Sequence, residues 1–173
     1  MQWNTNQTTC VFHRQKESVQ KKMRIVRNMT EKDVNAVADL EKAIFPDPWT
    51  AKSIYDTFGQ KQAFIVVAEE KEKIVGYCIV YFVLDEGEIA RIAVDPSLRR
   101  QGVGCQILEQ VQKTCIEKEV TRLLLDVRES NESARKFYQN YGFQTDGIRK
   151  NFYDFPKENA VLMSKEIGKA LTV

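Results

Sequence analysis

The stretch Val94-Asp95-Pro96-Ser97-Leu98-Arg99-Arg100-Gln101-Gly102-Val103-Gly104 determines how the rest of the chain is interpreted. An apolar run over residues 88–94 ends at Asp-Pro, a basic loop with two glycines follows, and a helical apolar pattern begins directly afterwards. Glycine permits tight backbone packing, and the free amides at the start of a helix offer partial positive charge to an anion. The stretch therefore predicts a strand, a phosphate-binding loop and a helix in succession.

Two common glycine-loop motifs do not fit these residues. A dinucleotide-binding GxGxxG motif needs a third glycine where Ile107 stands. A Walker A loop would end in Gly-Lys-Ser/Thr, but Gly104 is followed by Cys105 and Gln106. What remains is Arg-x-x-Gly-x-Gly at residues 99–104. On spacing alone, this pattern also fits an ordinary strand–helix turn with capping glycines.

Hydrophobic periodicity divides the chain into seven strands and four helices. Strands are predicted at residues 23–28, 63–69, 74–84, 88–94, 122–127, 143–151 and 160–167. Three helices are predicted to begin after the caps Thr30, Thr50 and Asn131, and a fourth runs from the glycine loop to about residue 118. Turns are predicted at residues 70–73, at residues 85–87 and around Pro156. The chain is therefore predicted to form an α/β domain with a mixed sheet.

The length and composition predict one globular domain with a short extension. A chain of 173 residues with 43% hydrophobic residues can bury a substantial core. Residues 1–22 are polar and basic, with four Lys or Arg residues against the single acid Glu17. We expect residues 1–22 to be a disordered extension without a catalytic role, and residues 23–173 to form the domain.

Several classes of protein are disfavoured by composition. The four cysteines form no CxxC pair and His13 is the only histidine, which argues against a zinc site and a His-dependent catalytic triad. Residues 23–173 are nearly neutral, which argues against a nucleic-acid-binding face. No apolar run approaches the roughly 20 residues of a membrane span, and the N-terminus lacks the apolar centre of a signal peptide. We expect a cytoplasmic protein with reduced thiols, no metal and no membrane partner.

Further segments in chain order, together with the glycine loop, match one enzyme family. They are Phe45-Pro46-Asp47-Pro48-Trp49, Ile92-Ala93-Val94-Asp95-Pro96, Leu125-Asp126-Val127-Arg128-x-Ser130-Asn131, Phe137-Tyr138-x-x-Tyr141-Gly142-Phe143 and Glu158-Asn159-Ala160-Val161-Leu162-Met163. In this order they resemble the GNAT N-acetyltransferases, and among these the bacterial ribosomal protein S18 alanine N-acetyltransferases (the RimI type). The resemblance covers about residues 23–167. It implies a mostly antiparallel central sheet of about seven strands flanked by about four helices.

The resemblance implies acetyl-CoA as co-substrate and assigns its binding residues. Backbone amides of the loop Arg99, Arg100, Gln101, Gly102, Val103 and Gly104 would bind the pyrophosphate. The main chain of Ile92, Ala93 and Val94 would pair with the pantetheine arm. Asn131 matches a further cofactor contact, and it is equally compatible with a plain helix cap.

Acetyl transfer from a thioester to an amine requires a proton acceptor for the amine and a proton donor for the leaving thiolate. Tyr138 matches the family tyrosine that protonates the thiolate. Tyr138 also belongs to the apolar stripe of its helix, together with Ala134, Phe137 and Tyr141, where a tyrosine commonly only packs. An N-terminal amine has a pKa of about 8, against about 10.4 for lysine, so its deprotonation needs less help from a base.

The general base is the point at which the chain departs from the family. The RimI-type strand motif Leu-Glu-Val-Arg has Asp126 in place of its glutamate, and an aspartate reaches about 1.5 Å less far. Glu88 is a second candidate, because many GNAT enzymes draw a carboxylate from the strand that leads into the loop. A third possibility is that both carboxylates bind a chain of water molecules that carries the proton away from the amine. Alternatively, Glu88 is a solvated turn charge and Asp126 pairs with a neighbour such as Arg128.

The resemblance implies a protein N-terminus as acceptor, in particular the N-terminal alanine of ribosomal protein S18, acetylated by a monomer or weak dimer. Pro48-Trp49 and residues 149–153 match the segments that flank the peptide groove, although the usual Tyr-Tyr pair is Phe152-Tyr153 here. Hydrophobic anchoring of two loops is the alternative for these residues. Two other functions stay open: acetylation of a lysine or a small-molecule amine, and a non-catalytic acyl-CoA-binding regulatory module.

Overall fold

The computed structural model describes residues 24–168 and contains the predicted seven strands and four helices. The strands are β1 Arg24–Asn28, β2 Ala63–Glu70, β3 Lys73–Val83, β4 Glu86–Val94, β5 Arg122–Arg128, β6 Gln144–Asp154 and β7 Lys157–Glu166. The helices are α1 Val34–Ile44, α2 Ala51–Phe58, α3 Val103–Glu117 and α4 Glu132–Asn140. The expectation for residues 1–22 lies outside the described residues, so the extent of the domain stays a prediction.

All seven strands belong to one sheet in the order β1-β2-β3-β4-β5-β7-β6. Every neighbouring pair is antiparallel except β4 and β5, which are parallel. The predicted fold class is therefore confirmed. The chain crosses from β4 to β5 through α3, as a parallel pair requires.

The sheet separates two hydrophobic cores, one on each face. On the first face α3 and α4 pack on the sheet through residues such as Ile107, Val111 and Tyr138. On the second face α1 and α2 pack through residues such as Val37 and Ile54. Because side chains alternate along a strand, successive residues of β4 and β5 face different helix pairs.

Three strand boundaries differ from the predictions by two residues or more. β4 begins at Glu86 rather than residue 88, because the pairing with β3 continues to Val83 opposite Glu86. β6 extends to Asp154 and β7 begins at Lys157, so the predicted Pro156 loop is only a tight turn. The added residues of β4, β6 and β7 are mostly polar, so the apolar pattern does not indicate them. Pairing with neighbouring strands holds these segments in the sheet.

Close packing of α3 on β3 brings the glycine loop to the end of β4. A Cβ atom on Gly76 would lie 2.8 Å from Ile107 Cδ1 and 3.0 Å from the Ala93 carbonyl oxygen. Both distances are far below ordinary contact, so only glycine allows this approach. Gly76 thus helps to position the start of α3.

Candidate active site

β4 and β5 are paired over only part of their length. Pairing joins residues 86–89 to residues 122–125. Beyond these pairs, residues 91–94 pair with β3 and residues 126–128 pair with β7. A register shift in the β3–β4 ladder leaves Ala90 without an opposite residue, and such a bulge bends a strand. A gap therefore opens between residues 90–94 and residues 126–128, and we call it the wedge.

The predicted pantetheine residues lie along one side of the wedge. Ile92 and Val94 pack towards α3, whereas Ala93 is buried towards α1. The main chain of Ala93 bonds to β3, whereas the amides and carbonyls of Ile92 and Val94 lie on the other edge, with which no strand among residues 24–168 pairs. An extended ligand with amide groups could form main-chain hydrogen bonds along this edge.

The glycine loop folds into two consecutive turns before α3 begins. Asp95 caps a 3₁₀ turn, because its carboxylate accepts hydrogen bonds from the Ser97 amide (2.9 Å) and hydroxyl (2.6 Å). These bonds lower the pKa of Asp95. Arg100 and Gly102 then have left-handed backbone, with φ of 60° and 79°. α3 begins directly after these two residues, and the amides of its first turn have no helical partners.

The two glycines of the loop are needed for different reasons. A Cβ atom on Gly102 would meet nothing within 4 Å, so its left-handed φ is what requires glycine. A Cβ atom on Gly104 would lie 3.1 Å from the Phe137 ring, so glycine there allows α3 and α4 to approach. One glycine shapes the loop and the other joins the two helices that border it.

Arg24 fixes the loop from the first strand. Its guanidinium donates to the Gln101 carbonyl at 3.4 Å, to Gln106 Oε1 at 3.1 Å and to the Glu70 carboxylate at 2.7 Å. Arg99 Nε also donates to the Val94 carbonyl at 3.2 Å. The loop therefore has a defined shape and a positive charge nearby, which suits a phosphate.

Tyr138 lies on the inner face of α4 and is only 6% exposed. Its ring packs against Phe137 and Phe143, with centroid distances of 5.3 and 5.5 Å. Burial raises the pKa of Tyr138 well above its ordinary value, with smaller contributions from Cys78 and Tyr153. The phenol is therefore protonated at neutral pH. Among the hydrogen bonds of residues 24–168 none involves this hydroxyl, which leaves it available as a donor.

The start of α4 is tied to the β6–β7 hairpin. Asn131 caps the helix through its Oδ1, which accepts from the Ala134 amide at 3.1 Å. Immediately before it, the Ser130 amide and the Arg128 guanidinium both donate to the Glu158 carboxylate. The bond from Ser130 is the main reason that the pKa of Glu158 is lowered. These contacts join the segment 125–131 to the segment 158–163 in the folded chain.

Asp126 is the first residue of β5 beyond the paired region. Its neighbours Leu125 and Val127 are buried towards α3 and α4, so its side chain points to the α1–α2 face. The carboxylate accepts a hydrogen bond from Arg149 Nη1 at 3.1 Å, and the Asp126 side chain is 18% exposed. The ion-pair alternative is therefore present, with Arg149 rather than Arg128 as the partner.

Glu88 lies on β4, across the boundary between β4 and β5 from Asp126. It is opposite Leu124 in the β4–β5 pairing and shares the α1–α2 face with Asp126. Strand rise and spacing set a lower limit of roughly 8 Å on the distance between the Cα atoms of Glu88 and Asp126, because the strands are no longer paired at Asp126. Glu88 is exposed, and its carboxylate forms no ion pair within residues 24–168. The two carboxylates thus border the closed end of the wedge, while Tyr138 lies on the opposite face.

Two segments border the α1–α2 side of the wedge. Residues 45–49 connect α1 to α2, and Trp49 packs at 6.5 Å from the Tyr81 ring. On the hairpin, Tyr153 is half-buried, its hydroxyl lies 3.5 Å from the Asp126 carbonyl oxygen, and its ring contacts Phe152 at 5.0 Å. Burial is the main cause that raises the pKa of Tyr153. Both segments have aromatic side chains beside the carboxylates.

Sequence reasoning missed two arginines at this site, Arg24 and Arg91, and it placed Arg149 in the groove-flanking segment without its partner Asp126. Each lies in a strand and forms contacts with residues distant in the sequence. A charge inside an apolar strand run is an available signal, since Arg is seldom buried without a partner. Arg91 gives this signal clearly, because it lies between apolar residues of β4.

Neither a metal site nor a membrane span is found in the described part of the chain. Residues 24–168 contain no group of three or more His, Cys, Asp or Glu side chains arranged to hold a metal ion. No helix there is both long enough and apolar enough to cross a membrane.

The sequence model of the Acetyltransferase (GNAT) family matches residues 34–143, which include the glycine loop, the wedge and Tyr138. A Bacillus subtilis protein with the provisional name ribosomal protein bS18-alanine N-acetyltransferase is 37% identical over 139 residues, covering 80% of this chain and 92% of the relative. A Haemophilus ducreyi ribosomal protein bS18-alanine N-acetyltransferase is 31% identical over 143 residues, covering 81% of this chain and 98% of the relative.

The fold agrees with these relatives. The crystal structure of the ribosomal-protein-S18-alanine N-acetyltransferase from Escherichia coli superposes with a TM-score of 0.78 at 29% identity, covering 87% of this chain and 97% of that one. The resemblance stated from the sequence motifs is therefore confirmed. By family match, by identity over four fifths of its length and by fold, the chain belongs to the GNAT family and is an N-acetyltransferase.

Proposed function

We propose that the enzyme transfers the acetyl group of acetyl-CoA to the α-amine of a protein N-terminus, and that its acceptor is the N-terminal alanine of ribosomal protein S18. The names of the relatives support this acceptor. The observation that carries the proposal is the wedge, which lies between the glycine loop beside α3 and the aromatic segments 45–49 and 152–153 on the α1–α2 face. Donor and acceptor can then approach from opposite faces of the sheet and meet where the strands separate.

The residues around the wedge fit a coenzyme A molecule. The left-handed turn at Gly102 and the first amides of α3 form a cradle for a pyrophosphate. On the open edge of β4, Ile92 and Val94, on either side of Ala93, offer main-chain groups to the amides of a pantetheine arm. Asn131 can contribute its side-chain amide as a donor while its oxygen caps α4. Acetyl-CoA, when bound, supplies the acetyl group as a thioester.

Tyr138 acts as a hydrogen-bond donor to the leaving sulfur. A thiol has a pKa of about 8.5, whereas burial keeps the pKa of Tyr138 far above that of an ordinary phenol. Complete transfer of the phenolic proton to a thiolate would therefore be energetically unfavourable. A hydrogen bond that strengthens as negative charge develops on sulfur does not have this cost.

Asp126 and Glu88 have different roles towards the acceptor amine. Asp126 is oriented by Arg149, so its negative charge is held in one place, where it can attract an N-terminal ammonium group. Glu88 forms no ion pair among the described residues and can accept a proton through a water molecule. The shorter reach of Asp126 makes a water-mediated path to Glu88 the better route for proton removal.

The acceptor is tested with synthetic peptides and mass spectrometry. Purified enzyme is incubated with acetyl-CoA and an S18 N-terminal peptide, the same peptide with a blocked α-amine, and a panel of lysine peptides and small amines. We expect one added acetyl group on the free α-amine and none on the blocked peptide. Acetylation of the lysine or small-amine panel alone would replace the proposal with that function. Coenzyme A binding without turnover on any amine would identify a regulatory module.

A further inference from the structure

Arg91 forms an unusual set of contacts with the segment that connects α1 to α2. Its Nε donates to Glu41 Oε1 at 3.0 Å, and its Nη2 donates to the Asp47 carbonyl oxygen at 2.7 Å. Its guanidinium carbon lies 4.2 Å from the centroid of the Phe45 ring and 5.9 Å from that of Trp49. One side chain of β4 thus contacts the end of α1 and three of the five residues of the loop 45–49.

The partner of Arg91 makes this arrangement difficult to replace. Glu41 is fully buried, so its charge requires a compensating cation. The other carboxylate oxygen, Oε2, and the hydroxyl of the buried Tyr77 both have no hydrogen-bond partner among the described residues. Burial and then the Glu41 carboxylate raise the pKa of Tyr77, although the two groups are not in hydrogen-bonding geometry. Arg91 is therefore the group that neutralises Glu41 and, at the same time, reaches the loop.

The other attachments of the loop are a weak ion pair and apolar packing. The Asp47 carboxylate lies 3.9 Å from Arg91 and is 80% exposed, so this ion pair contributes little. Phe45 and Trp49 pack on the α1–α2 core, and the Trp49 ring lies at a centroid distance of 6.5 Å from Tyr81. Apolar packing is not directional, so the hydrogen bond to the Asp47 carbonyl and the aromatic faces over the guanidinium are the contacts that orient the loop relative to the sheet.

We propose that Arg91 is a positioning residue for the acceptor, because it fixes the loop 45–49 to the strand that borders the wedge. Arg91 directly precedes Ile92 and follows the bulge at Ala90, so the side chain leaves β4 where the strand bends away from β5. The loop borders the α1–α2 side of the wedge, from which the acceptor enters. Its position therefore sets the affinity for the acceptor rather than for the acyl donor. This inference rests on the proposed function, in which a protein N-terminus enters from that side.

Three variants separate the loop contact from the burial of Glu41. Arg91→Lys keeps a positive charge near Glu41 but lacks the planar fork that reaches the Asp47 carbonyl and the aromatic faces. Arg91→Met removes both contacts, and Arg91→Met with Glu41→Gln removes both without leaving an unpaired buried charge. As a matched control, Arg27→Met removes an arginine that also pairs with two carboxylates, those of Asp33 and Glu69, at a distance from the loop.

The first readout is steady-state kinetics with the acceptor peptide. We expect the acceptor KM to rise on the order of tenfold in Arg91→Lys and in the double variant, because small displacements of a binding loop have effects of this size or larger. The KM for acetyl-CoA should stay within twofold of the wild type, and Arg27→Met should leave both KM values unchanged. An unchanged acceptor KM in Arg91→Lys and in the double variant would overturn the proposal.

The second readout does not depend on the acceptor. The chain has two tryptophans, Trp3 and Trp49, so a Trp3→Phe background makes Trp49 the single fluorophore. We expect acrylamide quenching of Trp49 to increase when Arg91→Lys or the double variant is introduced into this background, and to stay constant with Arg27→Met. Unchanged quenching would overturn the positioning role whatever the enzyme acetylates. Increased quenching in an enzyme that acetylates no peptide would refute the proposed acceptor and retain the loop contact.

Discussion

At the scale of single residues, the phenol of Tyr138 is the group whose surroundings determine its role most clearly. It is buried among aromatic rings, protonated at neutral pH and free of hydrogen bonds to the described residues. Tyr138→Phe removes only the hydroxyl, so we expect the thermal midpoint to stay within a few degrees of the wild type. We expect kcat to fall roughly 10²-fold, the lower range for loss of one hydrogen-bond donor to the transition state, with KM for acetyl-CoA unchanged. Full activity in this variant would remove Tyr138 from the mechanism.

The two carboxylates are distinguished by their pH–rate profiles. Glu88→Gln should abolish the acidic limb of kcat/KM for the acceptor peptide, because the variant lacks the proposed proton acceptor. Asp126→Asn should keep that limb and raise the acceptor KM instead, since it removes the charge that Arg149 orients. An acidic limb that disappears only in Asp126→Asn would reverse the two assignments.

At the scale of elements, substitution of either glycine at the start of α3 should destabilise the fold, for a different reason at each position. Gly102→Ala should cost about 1–2 kcal/mol in unfolding free energy because of the left-handed φ, and Gly102→Asn should recover part of this. Gly104→Ala should cost about 1–3 kcal/mol because its Cβ would press on the Phe137 ring. Urea denaturation gives these free energies. If Phe137→Leu relieves Gly104→Ala but not Gly102→Ala, the separate causes are established.

The residues just before α1 make the unfolding free energy depend on pH in the acidic range. The hydrogen bond from Arg27 is the main cause that lowers the pKa of Asp33 to about 2, and the Thr30 amide also donates to Asp33. The folded-state pKa lies below the ordinary value of about 3.9, so this stabilisation is present above pH 4 and is lost as the pH falls towards 2. It amounts to roughly 2 kcal/mol. The free-energy difference between wild type and Asp33→Asn should shrink by this amount between pH 5 and pH 2, and a constant difference would contradict it.

Local sequence pattern predicts most of the elements but little of the site's side-chain geometry. The strand, loop and helix at residues 88–118 could be predicted because alternation, Asp-Pro and the glycines act over a few residues. The partner of Asp126 could not, because Arg149 lies on another strand and reaches it only through the β5–β7–β6 order. For the same reason the contacts of Arg91 with Glu41 and the Asp47 carbonyl were not predictable.

At the scale of the whole molecule, ligand binding should stabilise the fold measurably. A ligand at 100 times its Kd adds about 2.7 kcal/mol to the unfolding free energy. For a chain of this size that corresponds to a rise of roughly 5–10 °C in the thermal midpoint. We expect this shift with coenzyme A, and amide hydrogen exchange should slow at residues 90–94 and 99–104 more than elsewhere. A shift without protection at these residues would place the ligand outside the wedge.

The short pairing of β4 with β5 also has a mechanical consequence. Among the described residues, the only strand pairing between the half of the sheet built from β1–β4 and the half built from β5–β7 is that of residues 86–89 with residues 122–125. A pulling force applied across this seam loads a few parallel hydrogen bonds, whereas every other seam of the sheet is antiparallel. The seam is therefore the line along which the sheet yields first under tension. A molecule that bonds to both sides of the wedge would reinforce this seam. The force needed to separate β4 from β5 would then rise when the molecule is bound, even if no acetyl group is transferred.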